Sequence, residues 1–123
     1  MKKGRKISGG KYHKKRKKKA NEVAGQKNIV KLGEEKRKST RVMGGNRKVF
    51  LLKSRRLNLL IKDKSKKTEI TNVLETPSNR FLARQNILTK GTIVETEFGK
   101  AKITNRPSRE GNINGILIKE EIK

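Results

Sequence analysis

The run KKRKKK at residues 14–19 sets six like charges side by side, and any regular conformation formed there without a counter-charge must hold them against their mutual repulsion. It is the densest part of a wider imbalance. The first 56 residues contain 22 of the 35 Lys and Arg but three of the 11 Asp and Glu, a local net of +19, whereas residues 57–123 hold 13 and eight. A formal net charge of +24 on 123 residues is far more than solubility requires and would be self-repulsive in one compact body. The expected partner is therefore a polyanion. Nucleic acid fits best, because a cationic surface can release the counterions held along its dense row of phosphates. A membrane surface fits poorly, since the basic runs lack a broad apolar helix face with Trp or Phe anchors.

The same composition limits the core. Hydrophobic residues make up 30% of the chain and charged residues 37%, so at most one modest domain is expected. Residues 1–19 contain no continuous apolar segment of the kind an export signal needs, and aliphatic clusters such as residues 59–61 are far too short to cross a bilayer. A cytoplasmic location is expected. The absence of cysteine excludes disulfides, thiol catalysis and zinc-ribbon sites. His13 is the sole histidine, so no imidazole cluster for a metal is available, and neither a metal nor a cofactor is expected.

The pattern changes along the chain. In residues 1–38 the apolar positions Ile7, Val23, Ile29, Val30 and Leu32 share no helical or strand period. This segment reads as a basic extension, disordered when free and ordered on RNA, with Gly9, Gly10 and Gly25 permitting turns and residues 14–24 able to form a short helix. Residues 39–123 read as the folded body. STRVMGGNRKVFLL suggests two strands joined at Gly44, Gly45 and Asn46, with Val42 entering the core while Arg41 and Met43 point away. Leu57, Leu59 and Ile61 alternate, residues 63–67 form a polar turn, and Ile70 and Val73 lie in the return strand. ETPSNRFLARQNIL contains a turn at residues 76–79 and an apolar patch that reads equally as strand or one helical turn. In GTIVETEFGKAKITNRP, Ile93, Glu95 and Glu97 oppose Val94, Thr96 and Phe98, a turn falls at Gly99 and Lys100, and Pro107 ends the return. Ile113, Ile116, Leu117 and Ile118 add a last apolar stretch. The expected fold is mainly β, a small antiparallel barrel-like domain, because closing the sheet removes its exposed edges.

Three pieces of this sequence, SGGKYHKKRKK, MGGNRK and above all RQNILTKGTIVETEFGKAKITNRPSREGNINGILI, resemble the archaeal and eukaryotic small-subunit ribosomal proteins of the eight-e family in their short archaeal-type form. The resemblance covers nearly the whole chain. It implies a β-barrel-like body with a basic N-terminal extension, bound to small-subunit ribosomal RNA as a structural component of the cytoplasmic ribosome among neighbouring ribosomal proteins. The same fold family is similar to that of a ribosome-assembly factor, usually much longer.

The candidate RNA-binding residues fall into two groups. Lys2, Lys3, Arg5, Lys6 and Lys11 flank the glycine pair, and Lys14, Lys15, Arg16, Lys17, Lys18 and Lys19 form the basic run. Phosphate oxygens are their expected targets, because such contacts need charge and reach more than one fixed geometry. Between them, Tyr12 and His13 interrupt the lysines, and either ring can stack on an exposed base or serve as an ordinary polar tail residue. The second group, Lys36, Arg37, Lys38, Arg41, Arg47, Lys48, Lys53, Arg55 and Arg56, opens the body in a stretch without an acid from residue 36 to residue 62. A merely solvated strand face would carry both signs. Arg80, Arg84, Lys90, Arg106 and Arg109 are scattered and read individually as surface charges, as do Glu95 and Glu97.

Other function classes fit less well. The glycine pairs lack the strand, spacing and helix of a dinucleotide site, and no phosphate-binding ATPase loop is present. An enzyme would need acid and base groups held rigidly together, which a flexible tail around Tyr12 and His13 does not provide. A ribosome-assembly factor that binds precursor RNA and leaves the mature particle is the principal alternative, and a DNA-compacting protein a weaker one. No homo-oligomer is expected.

Overall fold

A computed structural model describes residues 4–13, 15–25 and 27–118. Lys2, Lys3 and Lys14 of the candidate RNA-binding set lie outside the described residues. Strands β1 (Lys36–Arg41) and β2 (Arg47–Lys53) pair antiparallel as a separate two-stranded sheet. Their turn passes through Gly44 and Gly45 at φ 74° and 77°, a left-handed conformation that glycine adopts without a Cβ clash. Val42, expected in the core, is only half-buried; it follows the end of β1 and closes this turn by donating its N–H to the Asn46 carbonyl at 2.7 Å.

Strands β3 (Arg56–Ile61), β4 (Lys64–Glu75), β5 (Ile93–Thr96), β6 (Gly99–Ile103) and β7 (Asn114–Leu117) form a closed barrel. Each consecutive pair is antiparallel, so in a ring of five the first and last strands run the same way, and β7 closes on β3 as a parallel pair. The expected antiparallel barrel thus has one parallel seam, required by its odd strand number.

Alternation fills the interior. Leu57 and Leu59 of β3, Val94 of β5 and Ala101 and Ile103 of β6 are all buried. On β4 the buried residues Ile70 and Val73 are three apart, because register shifts between Ile70 and Asn72 and between Val73 and Glu75 break the period of two. Five strands leave a narrow interior, and small residues accommodate the large ones. A Cβ on Gly115 of β7 would lie 3.1 Å from the Lys102 carbonyl oxygen and 3.2 Å from Leu57 Cδ1.

The turns are tighter than their composition suggests. The β3–β4 turn is confined to Lys62 and Asp63, with Lys62 at φ 54°, so residues 64–67 pair as strand. The β5–β6 turn is Glu97 and Phe98, leaving Gly99 and Lys100 within β6. The segment left open between strand and helix forms α1 (Arg80–Arg84), capped where the Asn79 side-chain oxygen accepts the Phe81 N–H at 2.9 Å.

The basic extension joins this body before charge density falls. Val30 is buried in the core cluster. Lys31 donates its N–H to the Leu52 carbonyl at 3.0 Å and accepts from the Ser54 N–H at 3.2 Å, while the Leu88 N–H reaches the Val30 carbonyl at 2.8 Å. Residues 30–32 therefore strap the end of β2 to residues 86–88, and the compositional boundary between residues 38 and 39 falls inside β1. Charge content does not report backbone pairing.

Gly115→Ala should lower folding stability by about 1–3 kcal/mol through overpacking against a backbone carbonyl and Leu57. Urea denaturation checks this as a lower midpoint with an unchanged slope.

Candidate nucleic-acid interface

The glycine pair of the extension makes a miniature hairpin. Arg5 and Lys11 form an isolated antiparallel bridge, the Lys6 N–H donates to the Gly10 carbonyl at 2.8 Å, and Gly9 turns the chain at φ 77°. Arg5, Lys6, Lys11, Tyr12 and His13 are all exposed, with the Lys6 ammonium 5.9 Å from the centre of the Tyr12 ring. The arrangement leaves an aromatic face and the cations of Arg5, Lys6 and Lys11 open to a ligand.

Beyond it, Lys15, Arg16, Lys17, Lys18 and Lys19 remain exposed, and the only helical turn in residues 15–25 is a single 3-10 turn at Ala20–Glu22. Like charge explains the lack of a longer helix. Glu22 offers the one local counter-charge: its carboxylate accepts from both terminal nitrogens of Arg16, at 2.8 and 2.5 Å, and from the Lys19 backbone N–H at 3.1 Å. The Arg16 bonds first and the Lys19 bond second hold the Glu22 carboxyl below the usual range, and the same pairing raises Arg16 above its ordinary value. This pair is solvent-exposed and therefore screened by salt.

The β1–β2 sheet carries the second group of candidate residues. Residues opposite one another in the register share a face, so Arg37, Arg41 and Arg47 lie on the face of Leu51, and Lys38 and Lys48 lie with Phe50 on the other. Two of the opposed pairs have like charge, Arg41 with Arg47 and Lys36 with Lys53. Such pairs destabilise a ladder, and a two-stranded sheet is marginal by itself. Leu51 attaches this sheet to the core, while all six residues of β1 are exposed. The sheet is therefore anchored on one side and carries opposed like charge on its ladder.

Arg55 and Arg56 follow at the entry to the barrel, both exposed. Here the structure brings together residues that the sequence separates. The Glu35 carboxylate binds the Arg37 Nε through one oxygen and the Arg56 Nη1 through the other, at 3.3 Å for the latter. Arg37, Arg56 and Lys67 then border one cleft of about 450 Å³ between the β1–β2 sheet, the β3–β4 strands and residues 111–113. Lys67 is a residue that sequence reasoning passed over, as are Lys62, Lys64 and Lys66. The run of residues 62–67 was legible as basic, yet its role as a polar turn hid it, whereas Lys64, Lys66 and Lys67 actually stand on β4. Lys66 lies 5.2 Å from the Phe98 ring centre, and Arg84 lies 5.9 Å from that of Phe81, so two further exposed aromatics carry a cation.

Among the described residues no group of three or more His, Asp or Glu side chains is placed to hold a metal ion, and no helix is long and apolar enough to cross a membrane. Arg41→Glu should act in opposite directions on folding and binding. It should raise the stability of the free protein by about 0.5–1 kcal/mol by turning a like-charge cross-strand pair into an attractive one. It should also weaken RNA binding and flatten its salt dependence by about one unit of slope, as read from denaturation and from RNA titration at several salt concentrations.

Known proteins match this sequence along most of its length. The family model of ribosomal protein S8e matches residues 1–118. The small ribosomal subunit protein eS8 of Nanoarchaeum equitans is 44% identical over 114 residues, which span 91% of this chain and 90% of that relative. The eS8 of Sulfurisphaera tokodaii is 44% identical over 119 residues, and that of Methanococcus aeolicus 42% identical over 121, each spanning 94% of this chain and 93% of the relative. The similarity takes in the extension as well as the barrel.

Proposed function

The chain belongs to the ribosomal protein S8e family, and we propose that it serves the small ribosomal subunit as a structural constituent that binds ribosomal RNA by neutralising phosphates and fitting RNA shape. It is of the short archaeal type, and it is not an enzyme. The observation that carries the proposed mechanism is the in-register placing of like charges on β1 and β2, Arg41 against Arg47 and Lys36 against Lys53. A fold that opposes its own cations in this way gains from a polyanion laid over them.

In this reading residues 1–28 form the RNA-binding extension and the body starts at the strap around Val30. The barrel fixes position, the β1–β2 sheet presents Lys38, Arg41, Arg47 and Lys48 to phosphates, and the extension passes between RNA helices. Arg5, Lys6, Lys11 and the run from Lys15 to Lys19, together with Lys2, Lys3 and Lys14, act as point charges along that path. Lysine suits this use, because an ammonium on a long stem meets phosphate without the fixed fork geometry of arginine. Tyr12, exposed beside the turn at Gly9, stacks on an unpaired base, and His13 lies against the same RNA. Paired RNA hides its base edges in a deep narrow groove, so recognition falls on backbone geometry and junctions rather than linear sequence. The ribosome and its other proteins are the remaining neighbours, in the cytoplasm.

Crosslinking in gently lysed cells, followed by separation of precursor and mature particles, tests the proposal. About one copy per mature small subunit is expected, with RNA crosslinks from residues 2–19 and 36–56. Enrichment in precursor particles alone would replace this reading with that of an assembly factor. Replacing Lys15, Lys17, Lys18 and Lys19 by Gln should reduce RNA affinity and lower the salt slope by up to about 0.7–0.9 for each phosphate left without a cation, measured by titration between low and physiological salt.

A further inference from the structure

We propose that the cleft between the β1–β2 sheet and the β3–β4 strands receives a single unstacked nucleotide of the bound RNA. The inference rests on the RNA-binding reading and adds to it a site with a defined occupant. The cleft measures about 450 Å³, within the range of small-ligand sites, and its border combines cations with amides: Arg37, Arg56, Lys67, Asn58 and Asn112, with Glu35 between the two arginines.

Three features make this more than a gap between sheets. First, Glu35 pins two guanidinium groups, binding Arg37 through Nε and Arg56 through Nη1, while its own side chain is 27% exposed and that of Arg56 is 79% exposed. Each guanidinium meets the carboxylate through one nitrogen, which leaves its plane and remaining edge for a flat base or a phosphate. Second, residues 111–113 are held from behind. The Asn105 side chain donates to the Asn112 carbonyl at 2.9 Å and to the Glu110 carboxylate at 2.8 Å, and its oxygen accepts the Asn114 N–H at 3.0 Å. Third, Asn58 is steadied by a bond of 3.1 Å from its amide nitrogen to the Asn114 side-chain oxygen, which leaves further donor and acceptor capacity for the polar edge of a base.

The mixed charge of the border favours a base over a bare phosphate. Glu35 and Glu69 offset two of the three cations, so the cleft is only weakly positive, whereas the surrounding surface is strongly so. A backbone that follows the surrounding cations would keep its phosphates on the rim and turn one base inward. Such a nucleotide must be unpaired, as in a bulge or junction, because a base in a helix is neither accessible nor free to rotate.

Two RNA hairpins that differ only by one bulged 2-aminopurine test this with the full-length protein. The native protein should bind the bulged hairpin about tenfold more tightly, the scale of one base contact, and the 2-aminopurine fluorescence should change on binding. Asn112→Met, a neutral filler on an exposed loop residue, should bring the preference below about threefold while affinity for the paired hairpin changes little. Glu35→Gln is the sharper variant. It removes a negative charge and so should favour RNA in general, yet it should erode the bulge preference by freeing both guanidinium groups. Equal affinity of the native protein for the two hairpins would overturn the proposal and leave the cleft to a protein neighbour. A preference that survives both variants would overturn it as well. Failure to bind either hairpin would instead overturn the RNA-binding reading on which the cleft depends.

Discussion

Repulsion among cations that the chain cannot neutralise by itself governs the division of labour in this protein. The barrel withdraws from the problem: its interior is sealed by Leu57, Leu59, Val94, Ala101 and Ile103, and its closure leaves no open edge. The β1–β2 sheet is held to that core by Leu51 yet sets arginine against arginine across the ladder. The extension goes further: among its described residues one exposed ion pair, Arg16 with Glu22, offsets a run of lysines. Internal compensation of charge thus falls along the chain toward its beginning, where Glu22 is the one acid in residues 1–33.

A few acids bridge separate parts of the fold. Glu35 stands where the strap of residues 30–32 gives way to β1, and its two oxygens join an arginine of the β1–β2 sheet to one of the barrel. A partly exposed pair of this kind contributes little to stability by itself. Glu35 links Arg37 to Arg56 along one wall of the cleft. Asn105 does the same for the opposite wall through bonds to backbone and side-chain groups. The β1–β2 sheet thus meets the barrel through these polar residues as well as through Leu51 in the core.

Much of the architecture was legible before the structure. Period-two leucines at 57 and 59 and the alternation of residues 93–96 report strands, because one face of each enters a dry interior. The turn at Gly44 and Gly45 was visible because glycine adopts a left-handed conformation freely, whereas the turn expected at Gly99 and Lys100 falls at Glu97 and Phe98. Three features were not legible. The spacing of Ile70 and Val73 conceals a bulged strand that simple alternation cannot describe. Val30 sits in a segment that looks uniformly like tail, and only backbone bonds to distant residues draw it into the core. The cleft joins residues 35, 56, 67 and 112, whose proximity follows from the barrel closure and not from any local pattern. Charge along the sequence identified the basic stretches of the candidate interface, but it did not reveal that Lys67 shares a wall with Arg37 and Arg56.

Amide hydrogen exchange of the 123-residue protein, free and bound to small-subunit ribosomal RNA, is the decisive measurement. The barrel strands should exchange slowly in both states. Residues 4–13, 15–25 and β1 should exchange fast in the free protein and markedly more slowly on the RNA. Equal protection of β1 in the free and bound protein, or an extension that exchanges as fast on RNA as off it, would contradict the claim that the polyanion completes this fold.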